Sequence, residues 1–425
     1  MTLLRLPTAA HPPMPLAARL FLALLRRIRH GHLTLTTPDG AQQVFGDARD
    51  VPAAALRIHD WRACRAILRA GDIGFAEALR AQWLDTPDLT ALMRLAIRNE
   101  DAVATTLHGG PLARVWYALR HRLRRNTRAG SRRNIHAHYD LGNAFYAAWL
   151  DETMTYSSAC FDDDAHRPLD EAQCAKYQRI IDTLALAPGM RVLEIGCGWG
   201  GFALYAARQG IHVRGVTISQ EQHAWASERV NAAQLAHLAE IELRDYRDLC
   251  DVHDLHENDG QYDAIVSIEM FEAVGEAWWP TYFDTLSRLL KPGARALVQT
   301  ITIDDAHVER YRTSSDFIRE MIFPGGMLPG PQQFVRAAQQ AQLEARAVFA
   351  FGRDYAQTLR LWRASFESRL DTLRALGFDD AFIRIWTLYF GYCEAAFDEG
   401  RTDVMHFVVQ RCDGHPRADP RAHPH

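Results

Sequence analysis

No Cys-x-x-Cys pair occurs among the seven cysteines, Cys64, Cys160, Cys174, Cys197, Cys250, Cys393 and Cys412. An odd, scattered set offers neither a disulfide framework nor a structural zinc site, so a reducing cytoplasm and no metal are the expectation. No apolar run reaches the roughly 18 residues of a membrane-spanning helix. The nearest approach, PLAARLFLALLRRIRH at 15–30, is broken by Arg19, followed by Arg26 and Arg27, and lacks a small-residue cleavage site, which argues against export. Acidic residues are missing from Ala102 to Tyr139, where Arg114, Arg120, Arg122, Arg124, Arg125, Arg128, Arg132 and Arg133 crowd together. Net charge is only -4, so this is a local basic patch suited to an anionic surface and not a property of the whole chain.

What is present reads as folded: 425 residues, 48% hydrophobic and 24% charged, suit two or three domains with a sizeable core. Leu16, Leu20, Phe21, Leu24 and Ile28 recur at helical spacing, predicting a helix packed on its own domain, with a membrane-surface helix as the other reading. HLTLTTPDGAQQVFG predicts a hairpin around Asp39-Gly40, ALRIHD a strand, and the following stretch helices broken at Gly71. These make a small N-terminal α+β domain over 1–108, followed by a basic linker or helix at 109–133. From 134 to 411 apolar runs such as MRVLEIG, IHVRGVTI, AEIELRDY, QYDAIVSIEM and ARALVQTIT alternate with helical stretches, the mark of a parallel sheet covered by helices in an α/β domain. After Tyr311 the pattern becomes helical around an irregular IFPGGMLPGP loop, and 412–425 is a loose tail.

The stretch EIGCGWGGF, directly after MRVL, is a strand-to-helix turn whose missing side chains let backbone approach a ligand. A dinucleotide site would carry G-x-G-x-x-G and an acid at the end of the second strand. Here the spacing is G-x-G-x-G-G, that strand ends in Thr217, and Glu194 precedes the glycines. The arrangement resembles the first motif of the Rossmann-like, class I S-adenosylmethionine methyltransferases. This resemblance implies that Glu194, Gly196, Gly198 and Gly200 border the cofactor, and that Asp245, Tyr246 and Arg247 lie near its adenine.

Further words narrow the resemblance. HYDLGNAFYAAWLD, MTYSSACF, PGMRVLEIGCGWGG, GVTISQEQ, RDYRDL, MFEAVG, MIFPGGMLP and FGRDYAQTL, in this order, are similar to the cyclopropane fatty acid synthase family, which includes the mycolic acid cyclopropane synthases. The similarity runs from about 32 to 411, and GDIGFAEA resembles the N-terminal domain of the phospholipid-acting members. It implies methyl transfer from S-adenosylmethionine to a cis double bond of a phospholipid acyl chain, with Tyr156, Ser157, Thr217 and Gln222 as further cofactor contacts. Methyl transfer leaves a carbocation, which aromatic faces stabilise by on the order of 2 kcal/mol when desolvated. Trp278, Trp279, Tyr282, Phe283, Phe317, Tyr389 and Phe390 are candidates, each also readable as core.

In the family a bound bicarbonate removes the proton that closes the ring. Carried over, its holders are Glu272, Tyr355 and the Ile301 amide, while a cysteine position falls on Ser158 and a histidine position on Gln299. Ser and Gln still donate hydrogen bonds but supply no imidazolium. Two outcomes follow: a rebuilt pocket that gives a cyclopropane, or a cation that loses another proton or shifts a hydride and gives a methyl-branched chain. Cys393 falls where the family has a cysteine given a nucleophilic role, although this chemistry needs no thiolate and a structural or substrate-channel role is the alternative. His136 and His138 lack a third ligand at usable spacing, so capping or packing is their reading. The arginines at 114–133 and the 15–30 helix would seat the enzyme on anionic phospholipid at the inner face of the membrane, with a homodimer allowed. A nucleic-acid or small-molecule methyltransferase using the arginines on phosphates is disfavoured because no N/D-P-P-Y/F word occurs and few aromatics interleave the arginines. A lipid-binding protein that has lost catalysis is the third class.

Overall fold

The computed structural model describes residues 14–102, 141–250 and 262–411. The arginine-rich stretch, His136, His138 and the tail from 412 onward, all singled out above, lie outside the described residues. Packing divides the described residues into two compact units, the first comprising those before 116 together with Asp379–Ala395, the second those of 116–378 and those from 396 onward.

In the first unit, α1 (Leu16–Leu25) packs on α2 (Arg62–Arg80). A four-stranded sheet follows the order β2-β1-β3-β4, with β1 (His32–Thr36), β2 (Gln42–Gly46), β3 (Ala53–Ile58) and β4 (Leu84–Asp85). β1 and β2 form the expected antiparallel hairpin, and Gly40 turns it with φ 83°. α2 kinks at Ala70 and Gly71, where φ is 57° and ψ -127° at the glycine, as the sequence predicts. α3 (Leu89–Arg98) starts at Asp88, whose side chain accepts from the Ala91 amide at 2.9 Å. Burial on α1 departs from the expected stripe: Ala18, Phe21 and Leu24 are buried, whereas Leu16 is 71% and Leu20 52% exposed beside the exposed Arg19.

In the second unit, α4 (Asn143–Ala147) and α5 (Leu169–Leu184) precede β5 (Arg191–Ile195), α6 (Gly201–Ala207), β6 (His212–Thr217), α7 (Gln220–Ala232) and β7 (Ala239–Leu243). Then come β8 (Tyr262–Ile268), α8 (Trp279–Leu289), β9 (Leu290–Ile303), α9 (Val308–Thr313) and α10 (Pro331–Gln340). The chain ends its described part with β10 (Leu343–Ala350), α11 (Gly352–Ser368), α12 (Leu370–Ala375), α13 (Asp380–Asp398) and β11 (Thr402–Arg411). The seven strands run β10-β11-β9-β8-β5-β6-β7. Strands β9, β8, β5, β6 and β7 are mutually parallel, and β11 pairs antiparallel with both β9 and β10. The expectation of purely helical structure after Tyr311 is therefore corrected by β10 and β11.

Both faces of this sheet are covered, so its strands alternate between two apolar layers. Val192, Ala264, Val266 and Leu297 pack with Ile180, Phe202 and Val230 of α5, α6 and α7. Their neighbours Leu193, Ile265, Ala296 and Val298 pack with Phe283, Leu286 and Phe334 of α8 and α10. The chain winds from β5 outward through β6 and β7, then returns to place β8 and β9 on the other side of β5. Open α/β sheets bind ligands at the carboxyl ends of the strands beside such a reversal.

Candidate active site

At that reversal β5 leads into the glycine turn. Gly196, Gly198 and Gly200 have φ of 82°, 52° and 79°, left-handed values that glycine adopts without a Cβ clash. A Cβ at Gly196 would lie 2.6 Å from Met270 Cγ, while one at Gly198 would meet nothing within 4 Å, so the turn is tight on one side and open on the other. Glu194 is 3% exposed, one of its carboxyl oxygens has no partner, and burial pushes its pKa up to about 8. An open cradle beside an unpartnered carboxyl suits the hydroxyl and amino groups of a nucleoside-bearing amino acid such as S-adenosylmethionine. At the end of β6, Thr217 Oγ1 donates to Gln222 Oε1 at 2.9 Å, and after β7 the Asp245 carboxylate takes the Arg247 guanidinium at 2.5 Å. The Tyr246 ring meets Tyr282 edge-on at 5.7 Å. Thr217, Gln222, Asp245 and Tyr246 thus follow the carboxyl ends of β6 and β7.

The segment before α5 brings the other expected cofactor residues. Tyr156 lies 5.2 Å from Trp362 and 6.3 Å from Phe323, ring to ring, beside Tyr146 and Trp149. Ser157 Oγ accepts from Lys176 Nζ at 2.7 Å, and its carbonyl accepts from Gln173 at 2.9 Å. Several of the aromatic residues proposed from sequence take the core reading. Trp279, Tyr282 and Phe283 pack with Phe271 and Phe334 in the sheet's core, with Trp278 against them, and Phe317 is fully buried. Tyr389 and Phe390 belong to the first unit, as does Cys393, whereas Glu272 and Tyr355 belong to the second.

The centre of the site is a carboxylate that sequence reasoning missed. Glu269, just past β8, accepts from the Ser158 amide at 2.9 Å and Gln299 Nε2 at 2.7 Å on one oxygen, and from the Tyr355 hydroxyl at 2.8 Å on the other. Its backbone φ is 48°, a left-handed value costing a non-glycine residue on the order of 1 kcal/mol. Burial raises its pKa, opposed first by the charge of the fully buried Lys176. Burial in turn lowers Lys176 to about 8.

Of the five positions expected to surround bicarbonate, three meet at Glu269 and the other two, Glu272 and Ile301, meet each other. Gln299 and Tyr355 donate their side chains to Glu269, but Ser158 contributes its amide, its hydroxyl turning to the Ala159 carbonyl at 3.0 Å. The Ile301 amide donates to Glu272 Oε1 at 2.5 Å, joined by Thr300 Oγ1 at 3.0 Å, so it is engaged by the protein's own carboxyl. Glu272 Oε2 has no partner, and burial followed by the charge of Glu269 pushes Glu272 up to about 8. Three donors turned to Glu269 and an unpartnered oxygen on Glu272 favour the charge on Glu269 and the proton on Glu272. Cys160, two residues from Ser158, bonds Asp162 at 3.2 Å and is pushed by burial to about 12, which leaves it an inert thiol. Among the described residues no group of His, Cys, Asp and Glu side chains is placed to hold a metal ion.

Comparison with known proteins agrees with this fold. Residues 126–407 match the family model described as mycolic acid cyclopropane synthetase. A tuberculostearic acid methyltransferase of Mycobacterium tuberculosis is 40% identical over 96% of this chain and 95% of its own. The cyclopropane-fatty-acyl-phospholipid synthase of Escherichia coli strain K12 is 37% identical over 64% of this chain and 66% of its own. Among solved structures, a mycolic acid cyclopropane synthase complexed with S-adenosylhomocysteine and CTAB superposes with a TM-score of 0.58 at 30% identity, covering 66% of this chain and 98% of that one.

Proposed function

Since the chain belongs to the mycolic acid cyclopropane synthetase family of S-adenosylmethionine-dependent lipid methyltransferases, we propose that it methylates the cis double bond of a phospholipid acyl chain with Glu269 as the proton acceptor. The observation that carries this reading is the buried Glu269 carboxylate, held by the Ser158 amide, Gln299 and Tyr355. Ser158, Gln299 and Tyr355 are three of the five positions that the resemblance gives to the holders of a bicarbonate base, and their donation to Glu269 supports the reading that the chain carries its own base.

S-adenosylmethionine supplies, when bound, an electrophilic methyl group on a sulfonium. The 194–201 turn, Tyr156, Ser157, Thr217, Gln222 and the 245–246 segment are the residues that would hold it. An alkene is a weak nucleophile, so the protein's part is to hold it dry and in line, since proximity supplies most of the acceleration. The alkene π pair would form the new C–C bond while the methyl C–S bond breaks with its pair going to sulfur, so that S-adenosylhomocysteine leaves and the other alkene carbon becomes the cation. The Tyr355 ring, whose hydroxyl bonds Glu269, and the Trp362 and Tyr156 rings that adjoin it in turn offer aromatic faces to that charge.

Two fates use the same base. A 1,2-hydride shift moves the cation to the methylated carbon, and loss of a methyl proton to Glu269 leaves a methylene branch. Loss of a methyl proton before the shift closes a cyclopropane. The relative similar over 96% of this chain is named a tuberculostearic acid methyltransferase, which favours the branched product. The placement of Glu269 where the ring-closing base is expected favours the second. The substrate surface is an anionic bilayer at the cytoplasmic face, met by Leu16, Arg19 and Leu20 on the exposed side of α1.

Purified protein incubated with S-adenosylmethionine and cis-unsaturated phospholipid liposomes, with and without bicarbonate, tests the reading. The expected result is release of S-adenosylhomocysteine at a bicarbonate-independent rate, and vinylidene protons in the NMR spectrum of the acyl chains. Upfield ring protons would select the cyclopropane instead. Lipid binding without cofactor turnover, or turnover that needs RNA and no lipid, would overturn the proposal.

A further inference from the structure

The Gln299 amide touches Glu269 through its NH2 end, at 2.7 Å. Rotated by half a turn, it would set its carbonyl oxygen against a carboxylate, acceptor against acceptor. Something must hold the productive orientation, and the strand register supplies it. Gln299 on β9 lies opposite His406 on β11, both fully buried. His406 Nε2 is 2.9 Å from Gln299 Oε1. Since Gln299 Oε1 can only accept, Nε2 carries the hydrogen, and Nδ1, which has no partner, is bare. The ring is itself gripped edge-on by Phe349 at 5.7 Å and Phe351 at 5.0 Å. Burial, with Lys176 and Arg179 as the nearby charges, lowers the imidazole to about 3, so it stays neutral and keeps one donor fixed.

We propose that His406 is a positioning residue: its Nε2–H locks the Gln299 amide so that Gln299 donates to Glu269 and not the reverse. This rests on Glu269 as the proton acceptor. The imidazole missing from position 299 is present on the neighbouring strand and acts one residue removed from the reacting atoms, as an orienting donor and not as a cation.

The test compares donor with non-donor at 406 in the full chain. His406→Phe and His406→Met remove the donor; His406→Gln restores one. For whichever non-donor variant folds, as judged by circular dichroism, kcat on liposomes should fall at least tenfold, with KM for S-adenosylmethionine and lipid within twofold of the parent. His406→Gln should recover kcat to within about threefold. In a Gln299→Ala background the same substitutions should have no further effect, because the group that His406 orients is gone. Unchanged kcat in the non-donor variants, failure of His406→Gln to recover, or the same loss repeated in the Gln299→Ala background would overturn the proposal. Glu269→Gln separates the premise from the inference. If that variant keeps its turnover while His406 and Gln299 remain coupled, the base assignment falls and the positioning stands; if it is inactive while His406 and Gln299 act independently, the positioning falls.

Discussion

At the scale of single residues, the two acids of IEMFEA divide the work unequally. Glu269 receives three hydrogen bonds and faces the buried Lys176 charge, whereas Glu272 receives two and is pushed up to about 8. At pH 7 Glu272 thus keeps its proton, and Glu272→Gln replaces a neutral group by a neutral isostere; kcat within about threefold of the parent is expected. A raised carboxyl stabilises the fold fully below its unfolded value of about 4.5 and loses that contribution as pH rises through about 8. Thermal unfolding of Glu272→Gln should therefore depend less on pH between 5 and 9, give or take about half a unit, than that of the parent. Glu269→Gln should lose on the order of 100-fold or more in kcat, the usual scale for an acid–base group. Glu269→Gly is the sharper probe, because φ of 48° suits glycine and the substitution opens room among Ser158, Gln299 and Tyr355. It should be inactive alone and regain turnover with added bicarbonate, measured as S-adenosylhomocysteine release; no rescue would mean that the vacated donors cannot hold a free base. The motif words led to Glu272, Tyr355 and Gln299 but not to Glu269, Lys176 or His406. Glu269 was legible only as a second acid three residues before Glu272, since neither its left-handed backbone nor its donors are written in one dimension. His406 needed the register of two strands more than a hundred residues apart.

At the scale of elements, hydrophobic period gave the strands and helices from β5 to β9, because both faces of that sheet are buried and the runs are strong. It missed β10, whose LEARAVFA alternates weakly and is largely exposed on one face, and β11, which follows a long helix. On α1 the period was right, and the helix packs on its own unit through Ala18, Phe21 and Leu24. The apolar stripe is wider than the surface that covers it, so Leu16 and Leu20 stay outside with Arg19, Arg26 and Arg27 exposed nearby. Leucines rimmed by arginines fit the boundary of an anionic bilayer, where each arginine is worth roughly 1 kcal/mol and each buried leucine about 2. Leu16→Gln with Leu20→Gln should weaken sedimentation with anionic liposomes by at least tenfold while leaving turnover of detergent-dispersed lipid unchanged. Equal loss in both assays would place those leucines in folding and not in docking.

At the scale of the whole molecule, order along the chain and order in packing differ. Sequence gives an N-terminal domain ending near 108, yet Asp379–Ala395 packs with that unit after the chain has traversed most of the other. Within the unit, Gly391 lies against Leu89 and Thr90, where a Cβ would come within 3.1 Å of Leu89 Cβ. Thr90 donates to the buried Glu394 at 2.9 Å, Tyr392 to Asp72 at 3.0 Å, and Arg384 to the Arg80 carbonyl at 2.9 Å. Nothing local in FIRIWTLYFGYCEAAF distinguishes a helix that serves its own neighbours from one that serves residues three hundred positions earlier. The glycine is the one trace, a small residue where another backbone must approach. A chain beginning at residue 141 would keep α13 but remove these partners, uncovering side chains such as Trp386, Tyr389 and Phe390 that are at most 4% exposed. At about 1.5–3 kcal/mol for each large apolar side chain, that loss rivals the 5–15 kcal/mol that usually separates folded from unfolded protein. The shortened chain should therefore be insoluble or unfold without cooperativity, and supplying residues 14–102 as a separate polypeptide should restore a soluble complex on size-exclusion chromatography. A soluble, monomeric chain from 141 onward that unfolds within a few degrees of the parent would show that α13 holds its place without the first unit.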